Sequence, residues 1–198
     1  MRWLTSDLHF GHTNIITYCK RPFPDVPTMN EAILARWRAT VAPDDEVWVL
    51  GDVVLGHDWR ESLHAIAALP GRKVLVAGNH DRCWHGHGAK HARYVADYAV
   101  AFDVRQGTQR LTIDGIECDV SHFPYVDEER ERPDKYAAWR PRDEGRPLLC
   151  GHVHERWKRR GWRRPPKPRP SNARPRPTGP PLRRWASSVR CCALLAWR

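Results

Sequence analysis

Three short, largely apolar runs in the first half of the chain each stop at polar residues. The runs are Trp3–Ser6, Glu46–Leu50 and Lys73–Ala77, and they are followed by Asp7, by Gly51-Asp52 and by Gly78-Asn79-His80-Asp81. Apolar runs of this length, bounded by turn-forming residues, are typical of buried β-strands. The pattern therefore predicts three buried strands whose carboxyl ends carry polar side chains.

Apolar residues at helical spacing lie between these strands. One face of Thr28–Val41 is apolar, and Thr28 with Glu31 has the spacing of a capping box at the start of a helix. The side chains of that face are Ile33, Leu34, Trp37 and Val41. Trp59–Leu69 also predicts a helix. Strands alternating with helices indicate a layered α/β domain.

The middle of the chain has a different pattern. Two strand-like segments flank Asp114-Gly115, a pair typical of a two-residue hairpin turn, and the second segment ends at His122. A further short strand is predicted at Pro147–Cys150, just before Gly151-His152-Val153-His154. The fold class is therefore α/β with an antiparallel portion.

Charge is distributed unevenly along the 198 residues, which carry a net +10. Residues 155–198 contain 14 Lys or Arg and one acidic residue, so the remaining residues are slightly acidic. Eight of the 17 prolines lie between Pro165 and Pro181. We expect a domain at 1–158 and a basic, Pro/Arg-rich tail at 159–198 that is disordered, because such a composition buries too little apolar surface to fold.

The composition of the basic tail predicts nucleic acid as a partner. A flexible, strongly cationic segment binds nucleic acid without sequence preference and with steep salt dependence. An altered reading frame or a divergent end would give the same composition. The alternative that the tail has no function therefore stays open. The six cysteines form no C-x-x-C pair, and no run has the length of a membrane span. We expect a reducing, cytoplasmic location, and the oligomeric state stays unknown.

Polar residues with metal-binding side chains follow five predicted strands. In α/β sheets the carboxyl ends of strands meet at one crevice, where ligands bind. The five strand ends carry Asp7-Leu8-His9, Gly51-Asp52, Gly78-Asn79-His80-Asp81, Ser121-His122 and Gly151-His152-Val153-His154. Oxygen and imidazole donors together suit Mn, Fe, Zn, Co or Ni. One isolated Asp-x-His pair means little, but five such ends predict a metal centre.

These five blocks, in this order, resemble those of the calcineurin-like metallophosphoesterase superfamily, in particular its small bacterial-type members. They span Asp7 to His154, about three-quarters of the chain. The resemblance implies two β-sheets sandwiched between helices, a layered α-β-β-α arrangement with metal ions at the strand ends. It also implies that Asp7, His9 and His154 hold one ion, that Asn79, His122 and His152 hold the other, and that Asp52 bridges them.

The resemblance further implies a hydrolase that cleaves phosphomonoesters or phosphodiesters with a water activated by two divalent ions, manganese being the first expectation. His80 would contact the substrate phosphate together with Asn79, and Asp81 would orient the His80 ring. His12 either reaches the substrate or is an ordinary loop histidine. The alternative is that the protein binds nucleic acid, or cleaves it as a nuclease, by means of the basic tail, and that its metal site is weakened.

The sequence departs from the superfamily pattern after Lys158. There the superfamily continues into another strand, and this chain turns to Arg, Pro and Trp instead. A missing strand leaves a sheet edge exposed and removes a neighbour of His152 and His154. We therefore expect lowered stability and incomplete metal occupancy.

Overall fold

The computed structural model describes residues 1–126, 134–154 and 189–190. The first three predicted strands are present and lie parallel to one another. They are β1 (Arg2–Thr5), β2 (Glu46–Val49) and β3 (Arg72–Val76). Their register pairs Thr5 with Val49 and Val49 with Leu75, so the three carboxyl ends lie side by side.

Three helices before β3 connect or flank these strands. They are α1 (Thr13–Tyr18), α2 (Val26–Thr40) and α3 (Trp59–Ala67). The predicted start of α2 was wrong. Asp25 caps this helix by accepting a hydrogen bond from the Thr28 amide at 2.8 Å, so Thr28 lies inside the first turn and is not the cap. A proline in that turn fits, because its missing N–H has no partner there anyway.

After α3 and β3 the chain forms two 3₁₀ helices within His85–Tyr94, separated by a kink at Gly88, then the short helix α4 (Val95–Ala99) and the strand β4 (Asp103–Arg105). The sequence pattern does not predict β4, because three residues with a single apolar side chain give no recognisable alternation. It pairs in parallel with β3 at the edge of the first sheet.

The second sheet contains β5 (Gln109–Ile113), β6 (Ile116–Ser121) and β7 (Leu148–Cys150), with a 3₁₀ turn at Ala137–Trp139 between the last two. The predicted hairpin is confirmed: β5 and β6 are antiparallel, and both Asp114 and Gly115 have positive φ, as a tight hairpin turn requires. Strand β7 pairs in parallel with β6, which places the ends of these two strands together.

Side chains on the two faces of the first sheet enter two different cores. Trp3, Val47 and Leu75 point toward the helices and pack with residues such as Ile33 and Trp37. The alternate residues Leu4, Trp48 and Val74 point the other way and pack with the β5–β6 hairpin. The first sheet is therefore buried on both faces, between helices and the second sheet, which confirms the α/β sandwich class.

Most of the predicted basic tail, 159–198, lies outside the described residues, so its disorder and its binding of nucleic acid stay predictions. Within it, Val189–Arg190 forms a two-residue strand, β8, parallel to β1. The sequence did not predict this strand. In the part of the chain that the structure describes, no helix is long and apolar enough to cross a membrane.

Candidate metal centre

The strand ends bring all seven predicted metal ligands to one place. Backbone hydrogen bonds continue beyond the ends of β1 and β2. The Asp7 amide donates to the Gly51 carbonyl and the His9 amide donates to the Asp52 carbonyl, both at 3.0 Å. These bonds hold the first two ligand loops side by side. The ends of β6 and β7 supply His122, His152 and His154 from the other sheet.

Asp7, His9 and His154 form what we call the first donor group. One potential ligand atom from each lies within 4.8 Å of the others. The His154 Nε2 atom lies 3.6 Å from Asp7 Oδ1 and 3.4 Å from His9 Nε2. Three donor atoms at such distances from one another can hold one cation.

Asp52, His122 and His152 form the second donor group, and one potential ligand atom from each again lies within 4.8 Å of the others. His122 Nε2 lies 3.5 Å from Asp52 Oδ2 and 3.1 Å from the side-chain oxygen of Asn79. The same Asp52 oxygen lies 4.0 Å from His9 Nε2. Asp52 therefore stands between the two groups, and Asn79 adjoins the second.

Left-handed backbone conformation is concentrated at this centre. Seven non-glycine residues of the described chain have positive φ, and five of them belong to the donor groups: Asp7, His9, Asp52, His152 and His154. This conformation costs a residue with a Cβ roughly 1–2 kcal/mol, and such strain collects at functional sites. The chain thus turns abruptly after β1, β2 and β7, where it carries these five donors.

Two glycines permit the close approach of the loops. A Cβ on Gly51 would lie 2.3 Å from His122 Nδ1, and a Cβ on Gly78 would lie 2.4 Å from Asp52 Oδ1. Any larger residue would displace a donor. The glycines that precede Asp52 and Asn79 are therefore a steric requirement of the centre.

The electrostatics of the donors fit a bound cation. Burial, with the nearby charges of Asp81 and Asp7, raises the pKa of Asp52 well above its usual value. Burial also lowers the pKa values of His122 and His152 to about 4, so that both rings are neutral near pH 7. Neutral imidazoles are the form of histidine that metal ligation needs. A bound cation would offset the repulsion between the carboxylates and so favour the ionised form of Asp52.

Each of three donor histidines has a contact on the ring nitrogen that faces away from the donors. His122 Nδ1 lies 2.8 Å from the Leu50 carbonyl oxygen. His9 Nδ1 lies 3.4 Å from His12 Nδ1, and His154 Nδ1 lies 3.0 Å from Cys19 Sγ. Such contacts orient the ring and select the tautomer that leaves Nε2 available to a metal. No sequence pattern indicates a role for Cys19, because it is 135 residues from His154.

Two charged side chains hold the loops and do not face the centre as ligands. The Asp81 carboxylate accepts hydrogen bonds from the amides of Asp52, Val53 and Gly78 at 2.8–2.9 Å. We predicted that Asp81 orients the His80 ring, but the structure turns both of its oxygens toward backbone amides. Arg21 donates to the Asp7 and Leu8 carbonyls at 2.7 and 3.0 Å and so braces the first loop.

His80 lies at the exposed mouth of the centre. Its amide donates to Asp52 Oδ1 at 2.9 Å, and its ring centre lies 5.6 Å from that of His9 and 6.3 Å from that of His12. Partial desolvation and the neighbouring His12 and His154 rings lower the pKa of His80 to about 4. The ring is therefore neutral near pH 7 in the protein without a substrate.

The aromatic side chains Phe123 and Tyr136 flank the second donor group, and no sequence pattern predicts their contact with it. The His152 ring makes edge contacts with Phe123 and Tyr136, with ring centres 5.0 and 5.4 Å apart. Tyr136 comes from the stretch before the 3₁₀ turn at Ala137–Trp139, which no strand or helix pattern marks. Packing against Phe123 and Tyr136 restricts the His152 ring.

Proteins with similar sequences and folds were found. Gene 66 protein of Mycobacterium phage L5 is 36% identical over 163 residues, which cover 77% of this chain and 76% of that protein. Gene 66 protein of Mycobacterium phage D29 is 37% identical and 78% of each chain is covered. The crystal structure of a protein of unknown function from Aquifex aeolicus superposes with a TM-score of 0.51 at 32% identity, covering 67% of this chain and 65% of that one, slightly less than two thirds of its length.

The model of the family described as calcineurin-like phosphoesterase matches residues 2–171, which include every strand end that carries a donor. Together with the two donor groups, this match supports a metal-binding hydrolase of phosphate esters. The chain belongs to the calcineurin-like phosphoesterase family.

Proposed function

We propose that this protein hydrolyses phosphomonoesters or phosphodiesters with two divalent metal ions, manganese being the first candidate. In this proposal the first donor group holds one ion, and His122, His152 and Asn79 hold the other. The position of Asp52 carries the proposal, because one of its oxygens lies 3.5 Å from His122 Nε2 and 4.0 Å from His9 Nε2. A carboxylate in that position can serve both ions.

The donor set of carboxylate and amide oxygens with imidazole nitrogens fits Mn, Fe, Zn, Co or Ni. When bound, two such ions would supply Lewis acidity toward the phosphate oxygens and lower the pKa of an attacking water. The chain's own residues supply the rest. Arg21 and Asp81 fix the ligand loops through backbone carbonyls and amides, which keeps the donors at set distances before a substrate arrives.

His80 is the residue best placed to act on the substrate. It is exposed at the mouth, and the Asp52 carboxylate fixes its backbone. A phosphate ester bound beside the ring would favour the imidazolium, because an opposite charge raises the pKa of a histidine. The proton on the ring can then be donated to the leaving oxygen. In this proposal Asn79 also contacts the phosphate, as does His12, whose ring centre lies 6.3 Å from that of His80.

The reaction is tested with paired p-nitrophenyl phosphate and bis-p-nitrophenyl phosphate, each with added Mn²⁺ and with a chelator. We expect release of nitrophenol that depends on the metal, and the preferred substrate identifies a monoesterase or a diesterase. Absence of turnover with every divalent metal tested would contradict the proposed activity.

The role of His80 is tested separately with His80→Ala. We expect turnover to fall about 10²–10⁴-fold, the usual contribution of a general acid or base, while two Mn²⁺ ions still bind. Metal stoichiometry is measured by elemental analysis after gel filtration. A loss of bound metal parallel to the loss of activity would show that His80 is a ligand. The control histidine is His91, which is partly exposed and lies outside both donor groups, and His91→Ala is expected to keep turnover and metal content at the wild-type level.

A further inference from the structure

We propose that Cys19 is a positioning residue for the metal ion of the first donor group, and that it acts by holding the His154 ring in one tautomer and one orientation. This inference rests on the proposed function. It concerns a residue that does not itself bind the metal or the substrate.

The contact between the two side chains uses the nitrogen of His154 that faces away from the centre. Cys19 Sγ lies 3.0 Å from His154 Nδ1, whereas Nε2 faces Asp7 Oδ1 at 3.6 Å and His9 Nε2 at 3.4 Å. An imidazole nitrogen must lose its proton to ligate a metal. If Nε2 is the ligand, the ring proton sits on Nδ1 and is donated to the Cys19 sulfur, which is a weak acceptor.

Cys19 is well held for this purpose. It ends helix α1, and its amide donates to the Ile15 carbonyl at 3.0 Å. Its side chain is partly buried against the core on the helical side of the first sheet. Two residues later, Arg21 donates to the Asp7 and Leu8 carbonyls, so the end of α1 is fixed relative to the first ligand loop. The thiol and its histidine partner are therefore set relative to the same donor group.

His154 has particular need of such a contact. Its side chain is 22% exposed, whereas that of His122 is 1% exposed and contacts a backbone carbonyl. A buried ring keeps its orientation by packing, but a partly exposed ring rotates more freely unless a partner holds it. Partners of this kind typically change metal affinity by 10–100-fold when they are removed.

The experiment measures Mn²⁺ affinity and stoichiometry by competition with a chelating dye in wild type, Cys19→Ala and Cys19→Ser. Cys118→Ala is the control, since it removes a different thiol, one that is buried in the core between the two sheets. We expect Cys19→Ala to weaken one of the two ions about 10–100-fold and to leave the other unchanged. Cys19→Ser should recover part of the loss, because a hydroxyl also accepts a hydrogen bond, and Cys118→Ala should bind both ions as wild type does.

Two further measurements separate positioning from other roles. In metal-free wild type, ¹⁵N NMR of the His154 ring should show the proton on Nδ1, and in Cys19→Ala the two tautomers should mix. With Co²⁺ in place of Mn²⁺, wild type should show no thiolate-to-metal charge-transfer band. Such a band, absent in Cys19→Ala, would make Cys19 a ligand and overturn the inference.

The outcomes also distinguish this inference from the proposed function. If wild type and Cys19→Ala both bind two Mn²⁺ ions with equal affinity, only the role of Cys19 is refuted. If wild type binds no Mn²⁺, the two-metal proposal fails and the inference fails with it. Thermal unfolding of the metal-free variants checks that they fold, and Cys19→Ser carries the comparison if Cys19→Ala does not.

Discussion

The two donor groups have similar chemistry and different support. In the first group, His9 and His154 contact the side chains of His12 and Cys19. In the second, His122 contacts the Leu50 carbonyl, which the first sheet fixes because the Leu50 amide donates to the Thr5 carbonyl at 2.7 Å. A backbone partner moves only with its sheet, whereas a side-chain partner also depends on its own rotamer. We therefore expect the second group to be the more rigid half of the centre.

The largest effect is expected where the two groups meet. Asp52→Asn keeps an acceptor for the His80 amide but removes the negative charge between the groups. Because that charge serves both ions in our proposal, both should be lost, and kcat/KM should fall by about 10³-fold or more, as when a main stabilising group is removed from an active site. Turnover and metal content are measured on the same preparations.

A matched control for this prediction is Asp58→Asn, an exposed carboxylate before α3, which should keep both ions and full turnover. If Asp52→Asn retains two ions at wild-type affinity, Asp52 does not link the groups. If it loses only one ion, Asp52 belongs to a single group, and the comparison between the two becomes sharper.

A smaller effect, mainly on the second group, is expected from Gly78→Ala. The added Cβ would lie 2.4 Å from Asp52 Oδ1 and 2.7 Å from His122 Nδ1, so the second group must shift. Overpacking of this kind costs about 1–3 kcal/mol of stability, and we expect the second ion to bind about 10–100-fold more weakly while the first changes less. Calorimetric titration with Mn²⁺ measures the two affinities.

Gly115→Ala is the control for this change. Nothing lies within 4 Å of the added Cβ, but φ is +78°, so the substitution costs roughly 1–2 kcal/mol through backbone strain alone. It should lower the unfolding temperature and leave both Mn²⁺ affinities unchanged. Equal losses of metal affinity in the two variants would mean that general destabilisation, and not the Gly78 contact, explains the result.

The sequence indicates the candidate metal ligands more clearly than the residues that contact and orient them. All seven ligand candidates could be proposed from the sequence because they lie at or just after the ends of apolar runs, and parallel strands align their carboxyl ends by register. The contacts of Cys19, Arg21 and Tyr136 could not, since they depend on how α1 and the second sheet pack rather than on local pattern. The start of α2 was misplaced for a related reason: Asp25 and Thr28 both suit a cap, and local spacing alone does not decide between them.

The smallest effect is the order in which the two ions leave. Because His154 is partly exposed and is held by side chains, while His122 is buried and is held by a backbone carbonyl, the first group should release its ion at the lower chelator concentration. We expect affinities that differ by about tenfold, seen as two steps when Mn²⁺-loaded protein is titrated with a chelator. His154→Gln should abolish the first step and His122→Gln the second. The opposite assignment would show that burial and a backbone partner do not make the tighter site, and that charge outweighs rigidity in this centre.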